Sequence, residues 1–322
     1  MVEHDAASLE CPVCGKKDAS VLFESSNGYP IVRCSACGLA YTDARTAPPA
    51  STLYPEFDQS ESAVPRLLRR WLSVFMVQRE GIVRDVVPKG RLLDFGCGSG
   101  SFARWMARAG GYDVVGLEPF SLRQPIESEH LRLIGEPLDS AAPDLGRFDV
   151  ITMWHVLEHL PNPTAVLRTL SELLAPGGTV IVSVPNLESW QSIAFRGSWF
   201  HLDPPRHLCH FDRASLERCL GDANLEPFHS WSFVPEYGAS GWVQSALNGL
   251  LPHSNYLYEV VKDRGALHGM GVASHLVHLT TSMALGLPAV VGTTPVEAVA
   301  SAFHGGAALT VAARKRPGVE TR

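Results

Sequence analysis

The spacing of apolar positions along this 322-residue chain changes from segment to segment, and each change marks a different kind of element. Near the N-terminus Val21-Leu22-Phe23 and Tyr29-Pro30-Ile31-Val32-Arg33 are short strand-like runs around the turn signal Ser26-Asn27-Gly28, which predicts a β-hairpin. From about Asp43 to Pro65 the pattern dissolves into Pro, Ala and Ser, as in a linker, although Leu53-Tyr54-Pro55-Glu56-Phe57 has the bulk to dock. Leu67, Leu68, Trp71, Leu72, Phe75, Met76 and Ile82 then recur at helical spacing and predict a helix over 66–84. Behind it Leu92-Leu93-Asp94-Phe95 reads as a short buried strand that enters a glycine-rich turn, followed by a helix from about Ser101 to Ala109 and a strand over Tyr112–Leu117. Between Arg264 and Arg314 the only charged residue is Glu297, an unusual composition for a water-facing surface. There Thr280-Thr281-Ser282 and Gly292-Thr293-Thr294-Pro295 interrupt the apolar run, which predicts two amphipathic helices in a hairpin rather than a bilayer span.

These changes divide the chain into residues 1–45, a linker over 46–65, a core over 66–235, an apolar helical insertion over 236–304, and a last core strand and tail over 305–322. The length allows one large domain with a small appendage. With 45% hydrophobic and 19% charged residues the chain should be ordered, and a net charge of −6 disfavours nucleic acid as a partner. The opening Met1-Val2-Glu3-His4-Asp5 has no apolar run, so a cytoplasmic location is expected.

In that compartment the seven cysteines are read for metal rather than for disulfides. Cys11-Pro12-Val13-Cys14-Gly15 and Cys34-Ser35-Ala36-Cys37-Gly38 are two Cys-x-x-Cys-Gly knuckles separated by nineteen residues, the spacing of a zinc ribbon. Each knuckle offers two thiolates from a turn in which glycine tolerates positive φ, and four sulfurs close a structural Zn2+ shell. An iron site of rubredoxin type and unligated thiols are the alternatives.

Gly96, Gly98 and Gly100 form G-x-G-x-G, which meets neither the dinucleotide fingerprint nor the phosphate loop. Such a turn lets a bulky ligand approach the backbone, and Asp94 at the strand end suits a cationic group such as an amino-acid ammonium. Glu118, eighteen residues after the last glycine, ends the next strand, where a carboxylate can accept both ribose hydroxyls. The ligand is therefore a nucleoside. Asp94, the three glycines and Glu118 resemble the first two motifs of class I S-adenosylmethionine-dependent methyltransferases. Phe148-Asp149-Val150-Ile151-Thr152-Met153 resembles the family's fourth strand, and the run from Leu174 to Asn186 its helix-end turn and fifth strand. A last strand is expected over 307–313.

The resemblance implies an α/β fold: a doubly wound, mostly parallel seven-stranded Rossmann-like sheet carrying S-adenosylmethionine over the carboxyl ends of its strands. It also implies that Leu133-Ile134-Gly135-Glu136-Pro137-Leu138-Asp139 follows the third strand and borders the adenine. Leu138, Trp154, Tyr54 and Cys97 are counted with Asp94, the glycines and Glu118 as cofactor-lining residues, Cys97 also reading as a packed filler of the turn.

Methyl transfer from a sulfonium is an in-line displacement, so the chain supplies alignment and water exclusion, and candidates for a base are sought in the loops above the strands. Trp154-His155-Val156-Leu157-Glu158-His159 resembles the metal-binding Glu-x-x-Glu-His element of ubiquinone-type O-methyltransferases and of small-RNA 3′-terminal methyltransferases, with His155 in place of the first glutamate. Hydrogen bonding that shapes the loop is the simpler reading of that element. The stretch from Trp199 to Phe211 holds three histidines, His201, His207 and His210, and His207 is the preferred general base, with His159 and His155 as further candidates. Asp212 is a predicted N-cap with Ser215 at the third position of the helix that follows.

A zinc ribbon joined to a methyltransferase also resembles the C-methyltransferases of nucleotide-linked deoxysugars, but Arg206 stands where their glutamate is expected. O-methylation of a small sugar, lipid-linked or secondary-metabolite acceptor therefore moves ahead, with Arg206 suited to an anionic group such as that of an acidic glycan or a phosphorylated lipid-linked precursor. The rivals are carbon methylation, a non-catalytic zinc-ribbon assembly protein with a relic cofactor fold, and a nicotinamide oxidoreductase, which the glycine spacing disfavours. The apolar insertion fits a substrate lid, a homodimer face or a peripheral membrane contact at the inner face of the membrane. His275 and His278 within it read as a polar stripe.

Overall fold

The computed structural model describes residues 10–48, 66–119, 122, 125–231, 238–251, 255–256 and 271–316. In chain order they form strands β1 (Ala19–Glu24), β2 (Pro30–Cys34) and β3 (Ala40–Thr42), helix α1 (Arg66–Val86), β4 (Gly90–Phe95), α2 (Ser101–Ala109), β5 (Tyr112–Leu117), β6 (Ile126–Ser128), β7 (Leu131–Ile134) and α3 (Leu138–Leu145). There follow β8 (Phe148–Trp154), α4 (Pro163–Glu172), β9 (Leu174–Pro185), α5 (Trp190–Phe195), β10 (Cys209–His210), α6 (Arg213–Asp222), β11 (Leu225–Trp231), α7 (Gly238–Leu250), α8 (Val272–Ala302) and β12 (Ala308–Lys315).

The main sheet has the order β11-β12-β9-β8-β4-β5-β7-β6. The pairs from β9 to β7 are parallel, while β12 runs antiparallel to both β9 and β11. Its parallel strands are buried on both faces, so neighbouring residues serve opposite cores: Leu92, Val150 and Ile181 pack on one side, Leu93, Ile151 and Val182 on the other. The sheet has eight strands rather than the expected seven, because the three residues of β6 turn back against β7, a run too short for periodicity to reveal. Leu133 and Ile134, expected beyond the third strand, are the last two residues of β7.

The N-terminal strands form a second sheet, β1-β2-β3-β10, whose last member comes from the histidine-rich stretch. This sheet lies against the main core: Cys11, Val32, Cys34, Cys37, Leu39 and Tyr41 share one apolar cluster with Phe211 and Leu216. Asp212 caps α6 as expected, accepting from the Ser215 amide at 2.8 Å, and its other oxygen accepts from Arg33 at 2.9 Å, tying β2 to the same point.

Among the described residues between Arg264 and Arg314 the predicted helical hairpin is replaced by the single helix α8, which continues through Pro295. Packing overrides the local break. Thr293 Oγ1 donates to the Ala289 carbonyl at 2.8 Å, one turn back, and reaches the Ala239 carbonyl on α7 at 3.2 Å. Glu297, the one charge in this stretch, is turned inward and buried, accepting from Gln191 Nε2, Trp242 Nε1 and the Ala307 amide at 3.0, 3.0 and 2.8 Å. Among the described residues no helix is long and apolar enough to cross a membrane.

Glu297 therefore joins α5, α7, α8 and the entry to β12. Glu297→Ala removes the acceptor of three N–H donors, of which Gln191 keeps its second bond to the Gly238 carbonyl, and should lower the unfolding free energy by about 3 kcal/mol, measured by urea denaturation, with Glu297→Gln retaining part of that stability.

Candidate functional site

The chain winds outward from β4 through β5 to β7, then returns to the other side of β4 as β8, so the winding direction reverses between β4 and β8. At such a point the loops beyond the carboxyl ends of the strands diverge and leave a crevice. Asp94 of β4 faces Thr152 of β8 in register, and Thr152 Oγ1 donates to Asp94 Oδ1 at 2.9 Å. The carboxyl is only 2% exposed, and burial pushes its pKa up to about 7 against the opposing pull of Thr152 and Arg79. A cation placed beside it would restore its charge.

The glycine turn divides its work by position. A Cβ on Gly96 would strike Val156 at 2.4 Å and one on Gly100 would strike Leu133 at 2.6 Å, so these two serve packing. Gly98, at φ +54°, has no atom within 4 Å of where its Cβ would stand, so the space beside it is open. Glu118 Oε2 accepts from the Gly98 amide at 3.0 Å, which fixes the carboxylate at the mouth of the turn. Cys97 Sγ lies 2.8 Å from a Cβ placed on Gly116, where it fills the gap between β5 and the turn, and burial raises its pKa.

Trp154 ends β8 and is 8% exposed, with Phe102 edge-on at 5.5 Å and the Arg79 guanidinium over its ring at 5.0 Å. Its Nε1 is buried and has no hydrogen-bond partner among the described residues. Arg79 brings α1 over the crevice, a contact the helical pattern alone did not reveal. Leu138 opens α3 and packs in the same cluster as Leu117. Tyr54 lies outside the described residues.

Past β8 the chain bends through His155, which holds φ +56°, into a short 3-10 turn over Leu157–His159. Glu158 is 1% exposed. His155 Nδ1 lies 3.2 Å from its Oε1 in an electrostatic contact, and neither carboxylate oxygen has a hydrogen-bond partner among the described residues. Burial opposes its ionisation, but the opposing pull, led by His155 3.2 Å away, holds its pKa below the usual carboxylate range.

The His159 and His207 rings meet edge to face at 4.6 Å. His207 Nδ1 is 2.8 Å from the His201 carbonyl and His159 Nδ1 is 2.9 Å from the Arg206 carbonyl, so each Nδ1 carries the hydrogen and the neutral tautomer leaves Nε2 basic. Burial and the neighbouring His159 lower the pKa of His207 well below its ordinary value, so it stays neutral. Glu158, His159 and His207 each offer a ligand atom within 4.8 Å of the others, and two histidines with a buried, unbonded carboxylate could hold a divalent ion. The sequence pattern brought forward Glu158 and His159 in one element and His207 in another stretch, and the fold is what closes His207 onto the first two. Arg206 is engaged within the chain, with its Nη2 2.8 Å from Asp203 Oδ1.

The four knuckle cysteines converge as expected, with Cys11 Sγ 3.4 Å from Cys37 Sγ, Cys14 Sγ 3.5 Å from Cys34 Sγ, and all four sulfurs within 4.8 Å of one another. Sulfurs at ~2.3 Å from a tetrahedral zinc stand ~3.8 Å apart, close to this spacing. Gly15 at φ +68° and Gly38 at φ +80° turn the two knuckles alike, each amide donating to the carbonyl of the first cysteine. Burial pushes Cys11 up to about 11 and raises Cys37 as well, while for Cys34 burial is outweighed by the backbone amides of Cys37 and Ala36, which lower it; four thiolates brought this close repel one another unless a cation lies among them.

Residues 61–230 match the model of a family described as a methyltransferase domain. Among curated proteins, a ubiquinone biosynthesis O-methyltransferase of Aeromonas salmonicida is 37% identical over 105 residues, 30% of this chain and 43% of that protein. Its counterpart from Cereibacter sphaeroides is 40% identical over 103 residues, 30% of this chain and 41% of that protein. The chain thus spans less than half the length of these relatives. Among solved structures, coclaurine N-methyltransferase bound to N-methylheliamine and SAH aligns over 74% of this chain and 72% of its own, at 14% identity and a TM-score of 0.45.

The buried carboxyl of Asp94 should titrate near 7 when followed by 13C NMR of its side chain in the ligand-free protein. Thr152→Val removes the hydroxyl that stabilises the anion and should move that titration higher.

Proposed function

The chain belongs to the methyltransferase-domain family, and from that premise we propose that it transfers the methyl group of S-adenosylmethionine to a hydroxyl oxygen of a small acceptor. The observation that carries this reading is the buried Asp94 carboxyl beside the open side of Gly98, with Glu118 at the mouth of the same turn. When bound, S-adenosylmethionine supplies the electrophilic methyl group. Asp94 pairs with the ammonium, Glu118 accepts the ribose hydroxyls, Gly98 gives the nucleoside room, and the buried indole hydrogen of Trp154 is available to the carboxylate end.

On the acceptor side, His207 takes the hydroxyl proton at Nε2 as the oxygen bonds to the methyl carbon and the carbon–sulfur bond breaks. The carboxylate of Glu158 stabilises the imidazolium that forms, and the Nδ1 bond to the His201 carbonyl keeps the ring in its basic tautomer. Arg206, already paired with Asp203, gives little support to an anionic acceptor. A lipid-carried acceptor draws support from α8, whose Leu276, Val277, Val296 and Val299 are exposed, as is Phe303 just past its end, while its single charge is buried. The four cysteines are proposed to hold one structural zinc.

A second reading is favoured by one observation, the two hydrogen-bond-free oxygens of the buried Glu158. Here Glu158, His159 and His207 would hold a divalent ion that polarises the acceptor hydroxyl. The two readings separate on dialysis against a chelator that leaves the ribbon metal in place. Transfer to a catechol probe should survive dialysis if His207 is the base, and should be lost and restored by added Mg2+ or Mn2+ if an ion is bound. His207→Ala should lower turnover at least a hundredfold in either case, and unchanged turnover would sink both.

Calorimetric titration tests the cofactor assignment. S-adenosylmethionine should bind in the micromolar range, NAD should not, and Asp94→Ala should abolish binding. Because the ammonium pairs with the ionised carboxyl, binding below pH 7 must first expel a proton, so affinity should fall about tenfold per pH unit below 7 and level off above it. Well-folded, zinc-loaded protein that binds no S-adenosylmethionine would return the assembly reading.

A further inference from the structure

The cysteine ribbon is stitched to the histidine stretch through β3. Tyr41 and Ala40 pair with Cys209 and His210, and the Thr42 amide donates to the Leu208 carbonyl at 3.0 Å. Thr42 is 5% exposed, and its hydroxyl donates to the His207 carbonyl at 2.7 Å. That donation uses the hydroxyl hydrogen, so His210 Nε2, 2.9 Å away, is itself the donor to Thr42 Oγ1. From the opposite side the Leu208 amide donates to the Glu158 carbonyl at 2.8 Å. The segment 206–210 is thereby held between the ribbon and the turn that carries Glu158.

The other end of β3 is the second knuckle. Arg33, the residue before Cys34, donates to both the Gly38 carbonyl at 2.8 Å and Asp212 at 2.9 Å, while the Cys34 amide donates to the Leu39 carbonyl at 2.9 Å. Closure of the Cys34–Cys37 turn therefore sets the register of β3, and β3 sets the place of His207. The cofactor side, on β4 and β5, has no part in these bonds.

We propose that Thr42 is a positioning residue for His207, and that metal closure of the ribbon acts through Thr42 to assemble the acceptor side of the site without affecting the cofactor side. The proposal rests on the reading of His207 as the acceptor-side base.

The test compares the zinc-loaded protein with Thr42→Val, which keeps the shape of the side chain and the backbone pairing but removes the hydroxyl, with Thr42→Ser, which keeps the hydroxyl, and with protein stripped of metal. Hydrogen exchange should accelerate about tenfold across 206–210 in Thr42→Val and in stripped protein, while 94–100 stays protected. In 15N spectra His207 should change from a single Nδ1–H tautomer to a mixture of both. Thr42→Ser should restore both readouts, and calorimetric affinity for S-adenosylmethionine should stay within twofold throughout. Exchange that rises in both segments alike or in neither, or a His207 signal that does not respond to loss of the hydroxyl, overturns the proposal. Failure of the wild-type protein to bind S-adenosylmethionine would instead overturn the functional reading, leaving the exchange result intact.

Discussion

A carboxylate buried at the place where a parallel sheet reverses its winding constrains everything around it. Asp94 stands between β4 and β8 with Thr152 as its hydrogen-bond donor and almost no access to water. Ionising a group in such surroundings costs several kcal/mol unless an opposite charge or more donors compensate. One donor and the distant guanidinium of Arg79 compensate in part, so the ligand-free carboxyl rests near neutrality, at about 7. The strand end is in effect prepared for a cation. Of the three turn glycines Gly98 is the one with open space beside it, whereas Gly96 and Gly100 pack against Val156 and Leu133.

This half of the site was legible because its parts are local. A strand, a turn with glycines at alternate positions and an acid at the next strand end lie within about thirty residues, and backbone sterics tie each residue type to its place. The cysteine knuckles were legible for the same reason. The acceptor half was only partly so. Glu158 and His159 stand in a recognisable element and His207 in a histidine-rich stretch, but their meeting around a buried carboxylate is set by tertiary packing that no spacing encodes. Thr42 gave no signal, since its partner His207 is 165 residues further along the chain.

Local rules misled where packing overrode them. Pro295 beside two threonines is a sound helix-break signal. Yet α8 runs through it, because the inward-facing Glu297 satisfies three donors on α5, on α7 and before β12, and Thr293 caps a carbonyl one turn back. The charge that seemed an exception in an uncharged helix is what fastens that helix to the fold.

The first 45 residues are too few to bury a core of their own, which is why such modules need a metal or a host surface. This ribbon uses both. Cys11, Cys34 and Cys37 lie in one apolar cluster with Phe211 and Leu216, and Arg33 reaches the cap of α6 at Asp212. A module with its own core could move as a rigid body on its linker. This one cannot, because part of its sheet, β10, belongs to the acceptor loop. Separating the two would break the β3–β10 pairing, strand Thr42 and His210 as buried polar groups, and release the carbonyl behind His207. Ordering of the ribbon and ordering of the segment that carries His207 are therefore expected to be coupled, which is the physical basis for proposing that the cysteines act on an acceptor site they never touch.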